Sequence, residues 1–210
     1  MLFPNTEHQR LNISFKSVKD HNGGSCEYVL GMYALVFVLI MALASMQVMR
    51  YKAGSDITED ALAASALAAL DADPYIYGQT HSIIINDPRR ARGIFESALR
   101  DNMKLNDSFE PKGSDPSYIK GRVTVDDFRV YKVEGDRVTE YTVGNYTVTE
   151  NEGVYGEMTT PSGKDVRSAG VYAEISYEAS GFLGISVNAG KNTYVEMMAN
   201  PDMEHMPEDP

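Results

Sequence analysis

The side chains that could carry chemistry are few and scattered. There are four histidines, His8, His21, His81 and His205. Only His81 falls in a stretch patterned to fold, and one imidazole without an organised partner is read as structural rather than as a general base. Cys26 is the single cysteine, which excludes an intramolecular disulfide and a thiol pair for zinc. It precedes an apolar run, whereas a lipoprotein cysteine comes after one, so an inert juxtamembrane thiol is preferred over thioester acylation. Asp126-Asp127 and Asp71/Asp73 are acidic pairs without the ligand density of a calcium loop. Asn106-Asp107-Ser108 and Asn145-Tyr146-Thr147 fit the glycosylation acceptor at a level chance alone supplies. The sequence contains no Gly-x-Ser-x-Gly elbow, His-Glu-x-x-His pair or phosphate-binding Gly-Lys-Ser/Thr loop. No catalytic, cofactor-binding or metal-binding residue is therefore assigned, no cofactor is expected, and the chain is not read as an enzyme.

One carboxylate, Glu27, stands apart because it borders a long uncharged run. From Tyr28 to Met49 the chain carries no charge. That run of about 22 residues matches the roughly 20 a helix needs to cross a bilayer core of about 30 Å. Its polar members past Tyr33 are Ser45 and Gln47, near one end. A spanning segment must satisfy its amides internally, so it is helical if it spans. The alternative is a buried helix of a soluble protein, which at this length usually carries a polar stripe. Ala42-Leu43-Ala44 before Ser45 is also a small-x-small pattern that signal peptidase could cut, although the run starts after a long arm and continues to Met49.

The elements around this run are set by pattern. Residues 1–24 form a polar arm and residues 25–51 a transmembrane helix in which Glu27 sits in the first turn, where the macrodipole favours an anion. Arg50, Tyr51 and Lys52 make a basic-aromatic interface anchor. Residues 52–110 are a helical region: Asp56 with Glu59 reads as a capping box, and Ala61 to Leu70 is built of strong helix formers. If Gly54 only bends the rod, one helix runs from about Ser25 to Asp71, on the order of 70 Å. A further amphipathic helix starts at N-cap Asp87 and Pro88, with Ala91, Ile94, Phe95, Ala98, Leu99 and Met103 on its apolar face. Arg89, Arg90, Arg92 and Arg100 are read as a solvated face rather than an anion site. Residues 111–199 form an antiparallel β domain. Its expected strands are Arg122–Val133 with a slip near Asp126-Asp127, Val138–Val143, Tyr146–Thr149, Val171–Glu178, Leu183–Ala189 and Thr193–Met198. Residues 200–210 are an acidic, Pro-rich tail expected to be disordered. The fold class is α+β.

Net charge and its placement limit the partners. The chain carries a net charge of -11. Over residues 1–27, Arg10, Lys16 and Lys19 balance Glu7, Asp20 and Glu27, so the negative excess lies beyond the apolar run. Such a surface repels phosphates, and nucleic acid is not an expected partner. The membrane is.

Gly23-Gly24-Ser25-Cys26-Glu27-Tyr28 directly ahead of the apolar run, with Lys16 and Lys19 upstream, resembles type IV pilin-like proteins. The nearest likeness is to the minor pseudopilins of tight-adherence (Tad/Flp) pilus systems, of the TadE type. In that family a short basic leader ends in glycine, a prepilin peptidase cuts there on the cytoplasmic side, and a glutamate followed by Tyr or Phe opens the hydrophobic helix. The resemblance implies processing at Gly23 or Gly24 and a Glu27-Tyr28 junction. The family's glutamate is usually the fifth residue after the cut. Here, cutting after Gly23 or Gly24 makes Glu27 the fourth or third. The resemblance further implies that Glu27 pairs with the new N-terminal amine of a neighbouring subunit. It gives as partners other pilin-like subunits or platform proteins of the pilus or secretion apparatus. Small residues at Ala61, Ala64 and Ala68 would let helices from such subunits approach closely. The competing expectations are a single-pass protein displaying a ligand-binding β domain and, last, an anchored enzyme.

The Lys/Arg lean of the arm places the N-terminus in the cytoplasm and residues 52–210 outside the cell membrane. Protease added to intact cells stripped of their wall is expected to remove the C-terminal domain. Survival of that domain until lysis would reverse the topology.

Overall fold

In the computed structural model, residues 23–70, 85, 87–113, 118–181 and 185–197 are described. The arm, Asp71/Asp73, all four histidines and the acidic tail lie outside them. The element order is α1 (Gly23–Ala69), α2 (Pro88–Asn102), β1 (Ile119–Glu134), β2 (Arg137–Val143), β3 (Val148–Val154), β4 (Gly170–Ser180) and β5 (Ser186–Glu196). The protein is α+β, a long N-terminal apolar helix and a second helix followed by a five-stranded antiparallel sheet in the order β3-β2-β1-β4-β5. By contacts, residues 1–45 and 46–210 are separate units.

Across residues 28–45 of the first unit, α1 exposes its large apolar side chains, Leu30, Phe37 and Leu39 among them. One described helix is long and apolar enough to cross a membrane.

The second unit begins with the rest of α1. This half buries Gly54, Thr58, Ala61, Leu62, Ser65, Ala66 and Ala69, a stripe at helical spacing, and Leu70 just past its end is buried too. The helix runs through Asp56 and Glu59 without a break, so the expected capping box is not formed. Two hydroxyls on the buried stripe are satisfied within the helix: Thr58 Oγ1 donates to Gly54 O at 2.9 Å and Ser65 Oγ to Ala61 O at 2.6 Å. Asn102 of α2 donates to Ser65 Oγ at 3.1 Å, tying the two helices.

α2 starts as its cap residues dictate. Asp87 Oδ1 accepts from the amides of Arg89 and Arg90, and Pro88 stands at the first helical position. Its buried residues are Ala91, Phe95 and Leu99. The Phe95 ring lies 5.0 Å from that of Phe128, within the range of stabilising aromatic pairs. Together with Leu62, Ala66 and Leu70 they meet Val123, Val130, Val171, Ala173 and Ile175 in one core between helices and sheet.

The central strand β1 pairs with β2 and β4. Its register against β4 shifts between Val125 and Asp127, so Asp126 is the extra residue, in agreement with the slip in the sequence pattern. A second shift lies between Lys120 and Thr124, where Gly121 takes φ 69, a left-handed backbone that suits glycine. The freed Val123 amide donates instead to Phe109 O at 2.9 Å. β3 begins at Val148 rather than Tyr146 and runs through Glu150 and Glu152 to Val154. It is an edge strand with little to bury, and its register follows β2 rather than any apolar alternation. The last two expected strands are one. Gly190 and Lys191 lie opposite Ser176 and Ile175 inside continuous pairing from Ser186 to Glu196.

Among the described residues, a small apolar cluster covers one end of the outer face of the sheet. Tyr131, Val138 and Tyr172 pack there with Val166 and Met158 from the β3–β4 connection. That connection folds on itself, Thr160 N donating to Lys164 O and Val166 N to Met158 O.

Replacing Phe95 with Ala is expected to cost about 3–5 kcal/mol through lost burial and the cavity left behind. Denaturant unfolding of the detergent-solubilised chain measures it. A loss below about 1 kcal/mol would show that α2 does not seal this core.

Candidate functional site: an exposed apolar helix and its small-residue stripe

Gly23 and Gly24 open α1. The helix thus begins slightly earlier than the pattern suggests, which puts Glu27 beyond its first turn, where the macrodipole has weakened. Glu27 and Tyr28 are exposed, Tyr28 at 83%. Among the described residues Glu27 has no cationic partner.

The three alanines divide. Ala61 is buried in the chain's own core, whereas Ala64 and Ala68 are exposed. They share their face with Ile57 and Leu67, 66% and 54% exposed. Half of the Ala-rich segment therefore packs on its own domain, and the outward half presents small residues flanked by larger apolar ones.

Gly54 sets how closely this helix approaches the start of β1. A Cβ there would run into the Tyr118 side chain at atoms close to its backbone. Tyr118 packs edge-on against Tyr51 at 5.5 Å and Tyr177 at 6.0 Å. Burial first, then the nearby Tyr177 and Tyr51 hydroxyls, push the Tyr118 hydroxyl well above its ordinary value. Neither the Tyr118 nor the Tyr177 hydroxyl completes a hydrogen bond. Further along, Lys191 Nζ donates to Glu59 Oε2 at 2.8 Å, joining β5 to α1. The hydrogen bond and charge of Lys191 hold the Glu59 carboxyl below its usual value.

The α2 arginines are not a simple solvated face. Arg92 pairs with Glu96 at 2.8 Å and donates to Val143 O and to Asn145 Oδ1, pinning the β2–β3 turn. Arg89 reaches Tyr146 O at 3.4 Å, and Arg100 lies over the Phe109 ring. Of the acceptor triplets, Asn145 thus serves that clasp, and Asn106 Oδ1 accepts from the amides of Ser108 and Glu110.

On the outer sheet face Glu140 collects polar partners. Tyr131 Oη donates to it at 2.8 Å and Arg129 at 3.0 Å, while Arg129 also donates to Asp127 at 2.7 Å. Burial alone would raise the Glu140 carboxyl, but the hydrogen bonds from Arg129 and Tyr131 outweigh it and hold the group below its ordinary value. Burial first, then Glu140, pushes the Tyr131 hydroxyl far up. The signal for this cluster was in the sequence: a turn at Gly135-Asp136 places Tyr131 opposite Glu140 by counting outward, as the register shows.

Among the described residues no three His, Cys, Asp or Glu side chains gather to hold a metal ion. The long N-terminal apolar helix followed by an antiparallel sheet is a layout consistent with a pilin-like fold. No family model, curated protein or solved structure matches the chain.

A carboxylate whose value is lowered on folding adds stability above its unfolded value, about 4.3, and that contribution is lost as pH falls through the folded value. Glu140→Gln is expected to cost about 1–3 kcal/mol near neutral pH and to flatten the fall in stability below about pH 4.3. Denaturation midpoints across roughly pH 3–7 measure both effects. An unchanged acid limb would remove Glu140 from the account.

Proposed function

We propose that this chain is a non-catalytic, membrane-anchored, pilin-like subunit of a Tad or type IV pilus, or of a related secretion apparatus. The observation that carries this reading is α1. A single helix exposes apolar side chains over residues 28–45 and, past Gly54, packs small residues against the domain's own sheet. Lateral association of such helices favours small residues on the outward face, and Ala64 and Ala68 supply them.

Glu27 adds a second support. A carboxylate at the edge of an apolar helix is costly to desolvate alone and gains from a cation. None is in place among the described residues. The amine of a neighbouring subunit, freed by cleavage after Gly23 or Gly24, has the right charge. The anchor would leave the N-terminus in the cytoplasm and the sheet domain outside.

Glu27→Gln keeps the shape and removes the charge, so membrane insertion should persist while co-purification with pilus or platform components falls. Ala64→Leu and Ala68→Leu should also impair association by pushing backbones apart, and neither alters the buried core. If all three variants co-purified as well as wild type, display of a ligand-binding β domain would be the better reading.

A further inference from the structure

Past the apolar run, α1 carries two pairs of exposed residues on a common offset. Arg50 and Ile57 lie two turns apart on one stripe of the helix, and Asp60 and Leu67 lie two turns apart on the neighbouring stripe. Each member of the second pair follows its counterpart by ten residues, about 15 Å along the helix. Ile57 and Leu67 are 66% and 54% exposed. Arg50 and Asp60 are exposed and have no partner among the described residues.

We infer that a second copy of this chain packs its α1 parallel to this one and staggered by ten residues, so that Arg50 of one copy meets Asp60 of the other and Ile57 meets Leu67. The inference rests on the subunit function proposed above and adds the register to it. Charge complementarity selects that register. Without a stagger, two parallel copies facing each other along one stripe set Arg50 beside Arg50, or Asp60 beside Asp60, and like charges this close repel. The shift that joins the opposite charges also joins the two large apolar side chains, so polar and apolar contacts agree. An exposed ion pair contributes little affinity, but it fixes register. The staggered contact joins two different stripes and is therefore heterologous. Each copy keeps one stripe free for the next, and the association stays open instead of closing at a pair. Copies held at one depth in a bilayer cannot adopt the shift, because about 15 Å is half of the apolar core. The contact belongs to copies displaced along the helix axis, as in a filament, and to a different neighbour from the one whose amine meets Glu27.

The test is disulfide trapping between full-length Cys26→Ser chains in detergent micelles. One tagged chain carries Ile57→Cys, and a differently tagged chain carries Leu67→Cys. The mixed disulfide is expected to exceed either same-site product by about fivefold or more. Asp60→Arg in the Leu67→Cys chain should remove that excess, and adding Arg50→Asp to the Ile57→Cys chain should restore it. All four positions are exposed, so an unchanged far-ultraviolet circular dichroism spectrum is expected, and rescue by the reversed pair separates charge pairing from a folding defect. Same-site products in the majority would reveal an unstaggered pair and overturn the inference. So would a mixed product indifferent to both charge reversals. An antiparallel pair matching the same charges would set Ile57 against Ala53 and yield no mixed product, which also overturns it. If trapping fails while the wild-type chain still co-purifies with pilus or platform components, the stagger alone is wrong. Failure of both sinks the subunit reading with it.

Discussion

An α-helix satisfies its own amides, which is why one element can serve both in an apolar medium and against a sheet. In α1 that property is joined to a second constraint, the closeness with which the helix approaches Tyr118 at the start of β1. Gly54 leaves room for the Tyr118 ring, and Ala61, Ser65, Ala66 and Ala69 keep the contact thin. The large side chains of the shared core then come mostly from the other elements, from Phe95 and Leu99 on α2 and Phe128 on β1. The Ala-rich segment is poor in bulk because its partners supply it.

The two faces of the sheet are stabilised by different means. The helix-covered face is held mainly by apolar packing, with the Lys191–Glu59 ion pair at its edge. The outer face combines a small cluster around Tyr131 and Tyr172 with the Glu140 network, so that a carboxylate can be buried with its acceptor positions occupied. Removing one partner would leave the others desolvated and unmatched, and for that reason the cluster specifies the β1–β2 register beyond the energy of any single bond.

Much of the architecture was legible in residue patterns. The Asp87-Pro88 start of α2, the alternation in β4 and the bulge at Asp126 arise from local chemistry that the tertiary structure leaves in place. The departures have a common origin in long-range pairing. Gly190-Lys191 looks like a turn, but β4 pairs along its whole length and Glu59 receives the lysine. Asp56 and Glu59 look like a helix start, but the packed stripe from Gly54 to Leu70 keeps the helix unbroken. The sequence offers Ala61, Ala64 and Ala68 alike, and that Ala61 faces inward while the other two face outward could not be read there, since alanine carries no signature of which side of a helix it occupies. The Tyr118 approach to Gly54 joins segments far apart in the chain, a non-local contact, and nothing in either segment alone announces it.

The free rim of β3 has a consequence for how copies of this protein can meet. A sheet edge is an open template for another strand, and uninterrupted edges invite polymerisation into cross-β material. Here the rim carries Glu150 and Glu152, both exposed, across from β2. Two such rims brought together would set carboxylate against carboxylate. Two copies would therefore not join their sheets rim to rim along β3.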